Sequence, residues 1–124
     1  MIIERHLLTL QDIAEGCAQG GEYPICKWII ESDPTTIPLM FDSAFAYGRS
    51  QICELLIEHG ALKLLAQDQI EEYFAESVGM GSVRLCRLMY EHGARDVGCM
   101  FEGAFKHHII PICILAYKLD PRSV

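Results

Sequence analysis

At 124 residues, 51% of them hydrophobic, the chain is long enough for one domain with a continuous core, and disorder is excluded. Its net charge of −7, from 17 acidic and 10 basic side chains, opposes binding to nucleic acid or an anionic membrane, since either needs a dense basic patch and the Lys and Arg residues here are scattered. The opening Met1-Ile2-Ile3-Glu4-Arg5-His6 lacks the basic region and long apolar run of a signal peptide, and the longest apolar stretch, Ile109 to Tyr117, is too short to span a bilayer, so a soluble cytoplasmic protein is expected.

In chain order, apolar periodicity predicts helices at 10–19, 24–32, 39–47, 50–59, 70–80, 83–92, 97–107 and 110–119, and no strands. Thr9-Leu10-Gln11-Asp12 has the hydroxyl-x-x-acid form of a helix start, and Asp96 before Val97 is a second cap. The first two helices keep Ala14, Cys17, Ala18, Ile25, Cys26, Trp28, Ile29 and Ile30 on their apolar faces and stop at Asp33-Pro34. The next pair buries Phe41, Ala44 and Phe45, turns at Gly48, then buries Ile52, Cys53, Leu55, Leu56 and Ile57, with Gln51, Glu54 and Glu58 opposite. The third pair repeats the plan with Phe74, Ser77, Val78, Gly81, Leu85, Cys86, Leu88, Met89 and Tyr90. The fourth keeps Phe101, Ala104 and Phe105, has His108 where the turn glycine belongs, and stops at Asp120-Pro121.

These pairs are one unit written four times. Cys26, Cys53, Cys86 and Cys113 occupy the same place in each second helix, at steps of 27, 33 and 27 residues. A unit of this size cannot bury its own apolar face and must stack on its neighbours, which predicts an all-α solenoid of helix-turn-helix repeats at about 9–34, 38–61, 70–94 and 97–121 within one domain, 1–124. The six extra residues of the middle step fall between Leu62 and Gln69, where they form a small turn or lengthen the following helix backwards. Four cysteines placed by the repeat read as small buried hydrophobes rather than a disulfide framework, and no Cys-x-x-Cys or Cys-x-x-His pair starts a zinc site. His59 and His92 hold equivalent places in the last turn of their helices, where an imidazole suits the helix dipole.

The string from Ala44 to Ala61, with a small residue, turn glycine Gly48, aliphatic pair Ile52-Cys53, leucine run Leu55-Leu56-Ile57 and closing Gly60-Ala61, resembles the ankyrin repeat, and Ser77, Gly81, Leu85-Cys86, Leu88-Met89-Tyr90 and Gly93-Ala94 match it again. The family's Thr-Pro-Leu-His opening is replaced by Leu39-Met40-Phe41-Asp42 and Glu72-Tyr73-Phe74-Ala75, and two of the three connections are too short for its β-hairpin fingers. Degenerate chains of this kind resemble those of large DNA viruses and intracellular bacteria, which would place the protein in a host cytosol. The resemblance implies a protein-interaction module whose partner lies on the concave side, touched by the residues that the core pattern leaves free on the first helices: Ser43, Tyr47, Glu76, Met80, Lys106 and His107.

No nucleophile, base and orienting acid stand at a meaningful spacing, and no phosphate-binding glycine loop occurs, so neither an enzyme nor a cofactor is expected. A second expectation is self-association. The fourth repeat carries Ile114 where the others carry Lys27, Glu54 and Arg87, and has Ile109 and Ile110 beside its turn, an apolar outer surface that a homodimer through two fourth repeats would cover.

Overall fold

The computed structural model describes residues 9–123, and among them it is all-helical, with eight α-helices and no strand. The helices are α1 (Leu10–Gly20), α2 (Tyr23–Ser32), α3 (Ile37–Ala46), α4 (Ser50–Glu58), α5 (Gln67–Gly79), α6 (Val83–Glu91), α7 (Val97–Lys106) and α8 (Ile110–Leu119). Short 3-10 turns at Pro34–Thr36, Ala61–Leu64 and Pro121–Ser123 complete the chain. All eight predicted helices are present, with α3 and α5 starting two and three residues earlier than the periodicity indicated.

The chain divides into two compact units, Met1–Ala61 and Leu62–Val124. The division falls in the long middle link, whose extra residues do both things the spacing allowed: they form the 3-10 turn at Ala61–Leu64 and extend α5 backwards to Gln67. In the first unit α1–α2 and α3–α4 are helical hairpins that stack so that α1 lies along α3 and α2 along α4. The second unit repeats this, with α5 along α7 and α6 along α8. Each unit is thus two layers, one of first helices and one of second helices. The core lies between them: Ala14, Ala18, Ile29, Ile30, Met40, Phe41, Ile52 and Leu56 in one unit, and Phe74, Val78, Leu85, Met89, Met100, Ala104, Ile112 and Leu115 in the other.

Local chemistry fixes the ends. Thr9 Oγ1 accepts from the Asp12 N–H at 3.1 Å while Asp12 Oδ2 accepts from the Thr9 N–H at 2.9 Å, the capping box that the sequence spells. Asp96 Oδ1 accepts from Cys99 N–H at 3.0 Å at the start of α7. The hairpin turns share one closure. Gly21, Gly48 and Gly81 have φ of 73°, 68° and 71°, and His108, at the same place in the fourth hairpin, has φ 59°. In the first, second and fourth hairpins this left-handed residue lets the next N–H return to a carbonyl of the preceding helix: Glu22 to Cys17 at 3.0 Å, Arg49 to Ala44 at 2.8 Å and Ile109 to Ala104 at 2.8 Å. The His108 exception expected from the sequence is therefore a real backbone equivalent of the glycines, kept in a conformation that costs a side chain about 1–2 kcal/mol.

The connection between the two hairpins of the second unit has an anchor that the sequence reading did not single out. The Glu71 carboxylate on α5 accepts from the backbone N–H groups of Arg95 and Asp96 at 2.9 and 3.0 Å and from Gln67 Nε2 at 2.6 Å, fixing the start of α7. In the first unit the link is self-contained: Asp33 Oδ1 accepts from Thr35 Oγ1 at 2.6 Å, and buried Thr36 donates to the Asp33 carbonyl at 2.8 Å.

Candidate interaction surface

The shared turn closure sets the residues just before it, Gly20, Tyr47, Met80 and His107, at equivalent places on the four hairpins. Tyr47, Lys106, His107 and Glu76 are exposed and Met80 is half-buried. Ser43 departs from the expectation. It is only 6% exposed, because its position on α3 belongs to the face that meets the preceding hairpin, so it is not a free surface residue. At the turn of the first hairpin, Gly20 has no side chain, and an open cleft of ≈ 270 Å³ lies there, lined by Gly20, Gly21, Arg49, Ser50, Gln51 and Ile52. Arg49 Nε donates to the Gln19 carbonyl at 2.7 Å, tying the second turn to the end of α1 and holding the guanidinium along this cleft. Tyr47, two residues away, is 57% exposed.

The repeat cysteines divide. Cys26, Cys53 and Cys86 are fully buried, whereas Cys113 is half-buried, a correction to the expected burial of all four: its hairpin is packed on the face toward the preceding one, and that of Cys26 on the face toward the following one. Burial, with lesser repulsion from Cys17 and Glu22, pushes the Cys26 thiol up to about 11, and burial assisted by Glu54 pushes Cys53 up to about 12. Cys86 is raised by burial, opposed by the Ser77 hydroxyl 3.3 Å from its sulfur. Cys99 is exposed, and its thiol is raised by partial burial and then by Asp96, Glu102 and Glu71. Thiols so shifted are poor nucleophiles at neutral pH. His59 and His92 each donate from Nδ1 to the carbonyl four residues back, at 2.9 and 3.0 Å, which accounts for both as helix-end caps. Among the described residues no group of three or more His, Cys, Asp or Glu is placed to hold a metal ion, and no helix is long and apolar enough to cross a membrane.

The apolar surface of the end hairpins is larger than the sequence suggested. Ile110 and Ile114 are exposed, as expected, and Ile109, the residue before α8, is half-buried. Phe105 and Tyr117, beside them, are exposed as well, so Phe105 is not the core residue its periodicity indicated. In the first hairpin Ile25 and Trp28, also assigned to the core by register, are exposed together with Ile13. Glu54, placed opposite the apolar face by periodicity, is instead only 8% exposed. The missed signal is positional: a residue facing a neighbouring hairpin is buried only where that neighbour exists.

No protein-family model matches this chain, and neither a curated protein nor a solved structure shows significant similarity to it.

Proposed function

We propose that the chain is a short solenoid of ankyrin-like repeats that binds a partner protein through the turn-side ends of its first helices. The observation that supports this reading most is the shared turn closure. A fixed backbone presents a different residue at each equivalent place, Gly20, Tyr47, Met80 and His107, so that recognition varies while the frame does not. The cleft beside Arg49 and the exposed Tyr47 ring supply a seat and an amphipathic anchor of the type enriched at protein interfaces. Affinity capture from cell extract with the wild type and with a Tyr47→Ala, Met80→Ala variant tests it. A partner retained by the wild type and by an Arg122→Ala control and lost with the double variant supports the proposal. A partner held equally by all three contradicts it.

A second reading, self-association, is favoured by a separate observation: Phe105, Ile110, Ile114 and Tyr117 together expose an apolar face on the last hairpin of an acidic chain.

A further inference from the structure

In the first unit the residues of one face change from exposed to buried between its two hairpins, and in the second unit residues of the opposite face change from buried to exposed. On the face turned toward a preceding hairpin, Ile13, Ile25 and Trp28 are 46%, 45% and 61% exposed in the first hairpin, but their equivalents Met40, Ile52 and Leu55 in the second are at most 3% exposed. Met100, Ile112 and Leu115 at the same positions in the fourth hairpin are buried too. On the opposite face the order reverses: Ala18 and Ile30 of the first hairpin and Val78 of the third are buried, whereas Phe105 and Tyr117 of the fourth are 66% and 58% exposed. The contact has a knob and a seat. Val78 on α5 packs over Gly103 on α7, with its Cγ1 3.6 Å from where a Cβ on that glycine would stand. The equivalent of Val78 in the last hairpin is Phe105, and the equivalent of Gly103 in the first is Gly16, which has nothing within 4 Å of its own Cβ position. The last hairpin therefore carries an unseated knob and the first an empty seat.

Charge separates the two faces as well. Thr9 to Asp33 carries Asp12, Glu15, Glu22, Glu31 and Asp33 against Lys27 alone, with Glu22 and Glu31 three residues either side of the Ile25–Trp28 pair. The last hairpin, from Asp96 to Asp120, carries Asp96, Glu102 and Asp120 against Lys106 and Lys118, its basic residues falling in the acid-free stretch from Phe105 to Leu119, where Lys118 stands at the place that the other three second helices give to Glu31, Glu58 and Glu91. Two copies of the last hairpin face to face would oppose Lys106, Lys118 and the His107–His108 pair to themselves. The Phe105–Leu119 stretch of one copy set against the first hairpin of another brings lysines to a surface with four more acidic than basic residues.

We propose that copies of this chain associate head to tail, the α7–α8 face of one packing on the α1–α2 face of the next as consecutive hairpins pack within a unit, with Phe105 seated over Gly16. This rests on the self-association reading and replaces its two-fold dimer with a heterologous contact, which forms a ring or an open chain.

Two variants separate the alternatives. Phe105→Glu with Ile114→Glu blocks only the α7–α8 face. Gly16→Gln with Trp28→Glu blocks only the α1–α2 face, at a helix position with open space and at an exposed side chain, and it removes the sole tryptophan. Far-UV circular dichroism should show wild-type helicity for both. In sedimentation velocity at about 100 µM the wild type should form species larger than a dimer, each variant alone should be monomeric, and their equimolar mixture should give a one-to-one complex weakened about tenfold or more by raised salt. In that mixture Trp28 emission, which comes only from the first variant, should shift to the blue. A wild type that stays monomeric overturns self-association altogether. A Gly16→Gln, Trp28→Glu variant that still dimerises, with no complex in the mixture, leaves self-association standing and overturns the head-to-tail contact.

Discussion

The first and last hairpins have the same frame and opposite surfaces. Both start their second helix with a proline in the first turn, at Pro24 and Pro111, and both end it at an Asp whose φ is close to −150°, Asp33 and Asp120, followed by Pro and a 3-10 turn. Yet Trp28 is 61% exposed where its equivalent Leu115 is 2% exposed, and Ala18 is buried where Phe105 is open. Hydrophobicity does not decide this, since the tryptophan is the larger apolar group. The neighbour decides it: the first hairpin is packed on one face by α3–α4, the last on the other by α5–α6. A repeat's buried positions are a property of the stack.

That comparison can be broken most directly by truncating the same position in both hairpins. Leu115→Ala should cost about 2–5 kcal/mol of stability, as large-to-small changes in packed cores do, whereas Trp28→Ala should cost under about 1 kcal/mol when the chain is dilute enough to be monomeric. Equal losses in denaturant titration would mean that Trp28 belongs to a core.

The repeat cysteine gives a second contrast. In the native chain Cys26 should label with a thiol reagent far more slowly than half-buried Cys113, and mass spectrometry of the labelled peptides reads the order. The raised Cys26 and Cys53 thiols also set a pH dependence. Between the ordinary thiol range near 9 and their native values of about 11 and 12, the unfolded chain loses protons that the native chain keeps, so stability falls with rising pH by about 1.4 kcal/mol per unit for each thiol. Cys26→Ala with Cys53→Ala should flatten that alkaline slope in denaturant titrations at successive pH values.

Smaller effects distinguish the two turns. Gly21→Ala forces a side chain into φ 73° and should cost about 1 kcal/mol or more, while His108→Gly relieves the same strain at φ 59° and should raise the melting point, with a gain of about 0.5–1 kcal/mol. Gly16→Ala, in mid-helix with open space around it, should stabilise the monomer by about 0.5–1 kcal/mol.

Much of this architecture is legible in the sequence, because one spacing fixes many things at once. The cysteine steps of 27, 33 and 27 residues are also the steps between Gly21, Gly48, Gly81 and His108, so the phrase that marks the repeat marks its turns. The caps at Thr9 and Asp96 and the stop at Asp33-Pro34 follow from local hydrogen bonding and need no tertiary information. What periodicity does not show is which apolar stripe has a neighbour. Ile25, Trp28 and Phe105 satisfy the pattern as well as Ile52, Leu55 and Val78 do, and only the stacking within each unit separates them. Ser43 and Glu54 fail for the converse reason, as polar residues on positions that packing encloses. Glu71 is invisible to a local reading because its partners, Arg95 and Asp96, lie 24 and 25 residues away along the chain.

Because Trp28 is the only tryptophan, its fluorescence tests the central claim, that position in the stack sets burial, most directly. In the wild-type chain, at a concentration where sedimentation shows monomer, Trp28 should emit at long wavelength and be quenched by acrylamide about as readily as after unfolding in denaturant, consistent with 61% exposure on the outer face of α2. A blue-shifted, quencher-protected Trp28 in that monomer would contradict the account, since it would place in a packed core a residue that register assigns to the core and stacking leaves outside.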